Sequence, residues 1–305
     1  MSRMYEALQR ADSERKTAPV SEDNQVAEPA VIPGIEEPPL VAADIVLENI
    51  AQHPWRPSIA SFPTLAERGA GVEQFRSLRS RVYQARYEAP LKTLLVSSGM
   101  PSEGKSFVVA NLAMSLARNS VNNILLIDGD LRRPTLHSLL GAPNAPGLSE
   151  YLAGTAELKD IMQRDRSPKT AETASVGNVS NLTFIPSGKC GDNSSELVAN
   201  HRIEELIATV SLHFDWILID SSPVLAVTDA VELAHAADAV LLIVRGARTP
   251  YDVAQRTQAT FGSSRILGFV LNDVKDAPRR GSYSYYYGAP EVSGGATLRT
   301  DKQRQ

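Results

Sequence analysis

The sequence predicts an α/β protein with a doubly wound, mostly parallel sheet and helices on both faces. Three observations carry that expectation. Short runs of apolar and β-branched residues recur without strict alternation, as strands buried on both faces do. Stretches with helical spacing lie between them. The first such run passes through a glycine-containing turn straight into a helix.

The elements follow in order. Residues 1–15 suit a short helix with Met4, Tyr5, Leu8 and Ala11 on one side. Its charges are of both signs, so strong attraction to a membrane surface is not expected. Residues 17–71 are rich in Pro, Glu, Ala and Val. Pro29, Pro33, Pro38, Pro39, Pro54, Pro57 and Pro63 interrupt any regular element there, and the expectation is a disordered or extended linker. A helix is expected over 72–85. Strands are expected at 91–96, 123–127, 182–185, 216–219, 239–244 and 266–271, and helices at 106–118, 149–153, 195–210, 226–234 and 250–261. Residues 164–180 read as a polar excursion. Beyond Val274 the chain turns to Gly, Ser, Tyr and basic residues, from which no core can be built. The expected organisation is a short helix plus linker over 1–71, one folded domain over 72–275 and a flexible tail over 276–305.

The chain has 305 residues and a formal charge of −4. That mildly acidic balance gives no general attraction for nucleic acid. Cys190 is the only cysteine, so no intramolecular disulfide is expected, in keeping with a reducing compartment. No run approaches the ~20 apolar residues of a membrane span, and residues 1–16 lack the apolar core of a signal peptide. The expected location is cytoplasmic, with any membrane attachment supplied by another molecule.

After the strand at 91–96 come Gly99, Met100, Pro101, Ser102, Glu103, Gly104, Lys105 and Ser106, and then Phe107. This is G-x-x-x-x-G-K-S between a strand and a helix, the pattern of a phosphate-binding loop. Glycine lets backbone close on phosphate oxygens, and the amides at the helix N-terminus face the anion. Lys105 reaches the β- and γ-phosphates, and the Ser106 hydroxyl ligates Mg²⁺. Next, Ile124-Leu125-Leu126-Ile127 runs into Asp128-Gly129-Asp130-Leu131-Arg132-Arg133-Pro134. A buried strand thus delivers two carboxylates at its C-terminal end, where open α/β sheets bind ligands. One carboxylate can hold Mg²⁺ directly or through water. The other can accept a proton from an attacking hydroxyl, and Arg132 and Arg133 can neutralise phosphate charge. The alternative is that both carboxylates cap the strand end and pair with those arginines. The third signal is Trp216-Ile217-Leu218-Ile219-Asp220-Ser221-Ser222-Pro223, an apolar strand ending in an aspartate placed for Mg²⁺.

This ordered set resembles the bacterial tyrosine kinases, P-loop enzymes tied to capsule and exopolysaccharide production. The resemblance runs from about residue 72 to residue 273 and takes in the tail. Gly147-Leu148-Ser149-Glu150-Tyr151-Leu152-Ala153-Gly154, Phe214-Asp215-Trp216, Val224-Leu225-Ala226-Val227-Thr228-Asp229-Ala230 and Gly268-Phe269-Val270-Leu271-Asn272 are similar to the family's segments. It implies a sheet of the P-loop NTPase type and phosphorylation of tyrosine with ATP and Mg²⁺. Asp128 would activate the tyrosine hydroxyl or ligate Mg²⁺ through water. Asp130 would support the same site, Asp220 would order Mg²⁺, and Asn272 would meet adenine.

Tyr283, Tyr285, Tyr286 and Tyr287, four of the nine tyrosines, crowd a polar stretch beside Arg279 and Arg280. A sticky aromatic surface is one reading. The resemblance makes them phosphoacceptors, each gaining roughly −1.5 to −2 of charge. Glu73, Arg76 and Arg79 recur every third residue, which spacing alone reads as a solvated helix face. The resemblance makes them the Glu-x-x-Arg-x-x-Arg contact of a homo-oligomeric, octameric ring. It also implies a separate membrane chain-length-determinant protein that activates the kinase at the inner face of the membrane, and a cognate tyrosine phosphatase.

Some positions depart from the pattern. Met100 stands where division-site and partition ATPases of this fold carry a second lysine, which argues against those relatives. Ser102 and Phe107 stand where the kinases often have Gly and Thr or Leu. Residues 190–197 lack the family's usual prolines, and Asp220-Ser221-Ser222-Pro223 has one proline where two are common. A switch ATPase, or a nucleotide-binding scaffold without turnover, would share the same loop. Met100 and the tyrosine cluster speak against the first. Intact Lys105, Asp128, Asp130 and Asp220 speak against the second.

Overall fold

In the computed structural model, the apolar runs of the described residues form an eight-stranded sheet in the order β1-β4-β5-β3-β6-β2-β7-β8. The strands are β1 (Ala51–His53), β2 (Thr93–Ser98), β3 (Ile124–Asp128), β4 (Gln163–Asp165), β5 (Leu182–Ile185), β6 (Trp216–Asp220), β7 (Ala239–Arg245) and β8 (Ile266–Asn272). From β5 to β8 all neighbours are parallel. β4 is antiparallel to β5, and β1 is parallel to β4. The structure describes residues 45–58, 60–66, 68–118, 121–166, 181–189 and 194–274. The helix expected over 1–15, Cys190, most of the polar excursion and the tyrosine cluster lie outside them.

The central strands read as unbroken apolar runs because successive residues enter opposite cores. Leu94 and Val96, Ile124 and Leu126, and Trp216 and Leu218 join one core; Leu95, Leu125, Ile127, Ile217 and Ile219 join the other. The first core is closed by α1 (Ala70–Glu88), α2 (Lys105–Ala117) and α3 (Leu136–Leu140). The second is closed by α4 (Leu148–Leu152), α5 (Leu158–Ile161), α6 (Ser194–Val198), α7 (Arg202–Val210) and α8 (Asp229–His235). A final helix, α9 (Tyr251–Thr260), precedes β8. After its first turn α2 is buried on every side, which is why it is apolar all round rather than striped.

Two expectations need correction. Residues 45–71 are not a loose linker. β1 adds to the sheet beside β4, and Ile50, Trp55, Phe62 and Leu65 are buried. Asn111 on α2, fully buried, accepts from the Thr64 hydroxyl at 2.9 Å and donates to the Ser61 carbonyl at 3.0 Å. Prolines forbid a regular element here but not an extended path that buries large apolar side chains, each worth roughly 1.5–3 kcal/mol. The folded domain therefore starts by residue 45, not 72. The single helix expected over 195–210 is two, α6 and α7. Between them Asn200 accepts from the Arg202 amide at 3.3 Å and donates to the Leu152 carbonyl at 3.1 Å. An asparagine bonding backbone in this way competes with helix continuation.

Candidate active site

β6 lies between β2 and β3 at the centre of the sheet, and the C-terminal ends of all three meet. Asp128 and Asp220 end β3 and β6 and are register partners. Partners on neighbouring parallel strands share a face about 4.8 Å apart. Two carboxylates remote in sequence are thus side by side, and both are fully buried. Gly129 lets the loop after β3 lie on β6: its N–H donates to the Asp220 carbonyl at 3.0 Å, and a Cβ would meet that oxygen at 2.6 Å.

The loop after β2 delivers Lys105 to this pair as the first residue of α2. Its Nζ lies 2.8 Å from Asp130 Oδ2, 3.9 Å from Asp220 Oδ1 and 3.4 Å from the Ser106 hydroxyl. Asp130 also accepts from the Arg133 amide at 3.1 Å. Asp128 accepts from the amides of Leu136 at 3.1 Å and Asp130 at 3.3 Å. So the strand-end carboxylates bond Lys105 and backbone, not the neighbouring guanidiniums.

Lys105 faces Asp128, Asp130 and Asp220 together, and the cluster is short of positive charge. Burial pushes the Asp220 carboxyl up to about 6, against the pull of Lys105 and Ser106. Burial and the Asp220 charge push Asp128 well above the ordinary carboxylate range. Burial alone would lower the Lys105 ammonium, but Asp220, Asp130 and Asp128 outweigh it, and its pKa is raised.

Neither Asp220 oxygen has a hydrogen-bond partner of ordinary geometry among the described residues. Orphaned buried oxygens beside the Ser106 hydroxyl fit Mg²⁺, a hard cation that takes oxygen ligands. Among the described residues no three His, Cys, Asp or Glu side chains form a closed metal site. That suits an ion that takes one or two protein oxygens and the rest from phosphate and water. In front of the cluster opens a cavity of about 600 Å³. Pro101, Ser102, Gly104, Lys105, Ser106 and Phe107 line it from the loop and α2, and Asp130, Arg132, Arg133 and Thr135 from the segment after β3. Ser222, Pro223, Ala226 and Val227 form a more apolar wall.

No family profile matches the chain. The chain is 34% identical over 218 residues to the tyrosine-protein kinase wzc of Salmonella typhimurium, covering 70% of this chain and 28% of that protein. It is 30% identical over 218 residues to the putative tyrosine-protein kinase CapB of Staphylococcus aureus, covering 71% of this chain and 90% of that one. The kinase domain of the Escherichia coli tyrosine kinase ETK matches with a TM-score of 0.59 at 32% identity, over 72% of this chain and 81% of that domain. The chain belongs to the bacterial tyrosine kinase family.

In this member of the bacterial tyrosine kinases the P-loop is held from behind by Glu103 and Asn272, both expected at the nucleotide, and by Thr249, which motif reading does not single out. Glu103, buried, accepts from the Met100 amide at 2.8 Å and from the Thr249 hydroxyl. Thr249 accepts in turn from the Arg245 amide at 2.9 Å. Asn272 donates to the Glu103 carbonyl at 2.9 Å. Gly104 has φ +93°, and a Cβ there would meet Asn272 Nδ2 at 1.9 Å. The residue expected at adenine therefore bonds the loop's own backbone. Ser102, where the family often has glycine, is left-handed with φ +64°. Glu103 was legible as part of the motif, though not its bond to Thr249; nothing in sequence points to Thr249.

Other expected site residues lie apart. Glu73 and Arg76 pair with each other at 2.6 Å on the exposed face of α1. Arg79 donates to the Ser115 carbonyl at 2.5 Å near the C-terminal end of α2. Phe107 both lines the cavity and packs on Phe75, ring centroids 5.9 Å apart. Tyr283, Tyr285, Tyr286 and Tyr287 lie outside the described residues.

Proposed function

We propose that the chain is an ATP- and Mg²⁺-dependent protein-tyrosine kinase that phosphorylates its own Tyr283, Tyr285, Tyr286 and Tyr287 in trans. The observation that carries the reading is Lys105, held 2.8 Å from Asp130 and 3.9 Å from Asp220 at the mouth of a P-loop. The loop amides and the N-terminus of α2 bind the phosphates. Lys105 brings positive charge to the transferring phosphoryl group. Ser106 and Asp220 would hold Mg²⁺, with Asp128 reaching it through water; the ion supplies neutralisation of charge on the phosphate oxygens. The Asp128–Asp130 pair takes the proton of the tyrosine hydroxyl, Asp130 being the member that lines the cavity. Pro101, Pro223, Ala226 and Val227 offer an apolar wall for the acceptor ring and keep water from it.

The chain spans 28% of the length of the wzc relative, and among its described residues no helix is long and apolar enough to cross a membrane. In this reading a membrane chain-length-determinant protein recruits and activates the kinase at the inner membrane face. Glu73, Arg76 and Arg79 contribute to an octameric ring, and a tyrosine phosphatase reverses the reaction. The output is control of capsule or exopolysaccharide polymerisation and export.

Labelled ATP with Mg²⁺, followed by phosphosite mapping, tests this. Label on the tail tyrosines is expected in wild type and absent in Lys105→Met. A kinase truncated before residue 276 should label full-length Lys105→Met, which shows transfer in trans. Label on serine alone, or tyrosine label that survives Lys105→Met, overturns the reading. Rapid phosphate release without any protein label would favour a switch ATPase.

A further inference from the structure

Arg132 lies two residues past Asp130 yet is held by groups from two other segments. Its Nε donates to Asp229 Oδ2 at 2.9 Å, and its Nη2 donates to the Ser195 hydroxyl oxygen at 2.5 Å. Ser195 donates its own hydroxyl to Asp229 Oδ1 at 2.8 Å. The triangle joins the segment after β3, α6 and the first residue of α8. Asp229 is 1% exposed, whereas the Arg132 side chain is 41% exposed. The carboxylate is therefore the fixed point, and the guanidinium is the end that reaches solvent. Asp229 lies two residues past Val227, which with Ala226 shares the cavity wall with Arg132.

A guanidinium is a rigid planar fork. Pinning Nε and Nη2 sets its plane and leaves Nη1, which has no hydrogen-bond partner among the described residues. A donor already in place needs no reorganisation when charge develops, whereas a free arginine must first be ordered.

We propose that Asp229, seated by Ser195, is a positioning residue that fixes the Arg132 guanidinium at the lip of the cavity for the terminal phosphate of the nucleotide. The proposal rests on reading that cavity as the nucleotide site. The competing role is a strut that merely ties α8 to the segment after β3. A strut would change melting without changing how the protein tells a triphosphate from a diphosphate.

The test uses the full chain with Mg²⁺ in wild type, Asp229→Asn, Ser195→Ala, Arg132→Ala and the Arg132→Ala/Asp229→Asn double variant. Three quantities are read: affinity for ADP and for a non-hydrolysable ATP analogue, single-turnover transfer to tyrosine, and melting. Asp229→Asn should reduce the preference for triphosphate roughly tenfold and slow transfer roughly 10- to 100-fold, with ADP affinity unchanged. Ser195→Ala should move both in the same direction by less. The double variant should be no worse than Arg132→Ala, because the two residues act as one unit. Unaltered triphosphate preference and rate in Asp229→Asn would sink the proposal. So would losses that multiply in the double variant, or a rate that falls only with the folded fraction. If wild type binds the triphosphate but labels no tyrosine, the kinase reading fails while the binding preference still decides the role of Asp229. If wild type binds neither nucleotide, both fail.

Discussion

Behind the P-loop, Glu103 takes the Met100 amide and the Thr249 hydroxyl, and Asn272 takes the Glu103 carbonyl. Arg245 bonds the Ser102 carbonyl at 3.3 Å and Asp273 at 2.8 Å. In front of the same loop, Lys105 faces Asp128, Asp130 and Asp220, and Asp220 keeps two buried oxygens without a hydrogen-bond partner among the described residues. The rear is satisfied and the front is not. Satisfied buried polar groups fix geometry, whereas unsatisfied ones weaken the folded state and persist where a ligand completes them. One loop is thus held rigid by its back and left electrostatically open at its face.

The sharpest way to break this comparison is Asp220→Asn. Phosphoryl transfer should fall roughly 10²- to 10³-fold, read as initial rate of tyrosine labelling. Stability of the metal- and nucleotide-free protein should move the other way. The folded-state pKa of Asp220, about 6, lies above that of an unfolded aspartate. The folded state then holds the proton more tightly. This group's favourable contribution is full below about pH 4 and is lost as pH rises through about 6. Asparagine does not ionise, so Asp220→Asn should stabilise by about 3 kcal/mol at pH 8 and give no gain at pH 4. Thermal melts in chelator at the two pH values check the sign. Equal destabilisation at both would mean that the front is not a charge reservoir.

At the rear, Glu103→Ala leaves the Met100 N–H and the Thr249 O–H without their acceptor. It should destabilise by about 2–3 kcal/mol in urea unfolding, with no gain at any pH. Asn272→Ala should remove about 1 kcal/mol and weaken ATP and GTP alike, because the lost bond is to the loop. Selective loss of ATP would instead place Asn272 at adenine. The smallest effect is expected at Ser102→Gly. A left-handed residue with a side chain is disfavoured by roughly 1–2 kcal/mol, partly offset by the extra chain entropy of glycine. A net gain of about 0.5 kcal/mol is expected, visible as a small rise in melting temperature.

Glu103 and Asn272 were legible but their partners at the rear were not, whereas the front was read in full, for a physical reason. Lys105, Asp128 and Asp220 each sit at the end of an apolar run or in a motif with fixed spacing, so chain order alone points to them. Thr249, Arg245 and Asp273 lie on β7, on β8 or beside them. No periodicity marks a hydroxyl whose acceptor lies 146 residues away. The same holds for Asp229 and Ser195. The segment of Asp229 is similar to the family's and that of Ser195 lacks its usual prolines, but only packing shows that both converge on Arg132. In the fold, β1 and β4 were illegible because three-residue strands with polar residues carry no apolar run. Trp55 and Phe62 were visible as large apolar residues, yet the prolines around them dominated the reading.

By itself the sequence determined the class of fold and the chemistry of its centre. Two-sided burial forces continuous apolar strands, and phosphate binding forces glycine, lysine and serine into a fixed spacing. Both leave marks that local reading can find. Only the tertiary structure decided that β6 enters between β2 and β3, placing Asp220 beside Asp128 in register. It also decided that Ile50, Trp55, Phe62 and Leu65 belong to the core, and that the P-loop rests on Asn272 and Glu103. Those outcomes depend on strand order and on contacts between distant residues. Such contacts are set by the mutual fit of whole elements and leave no local pattern behind.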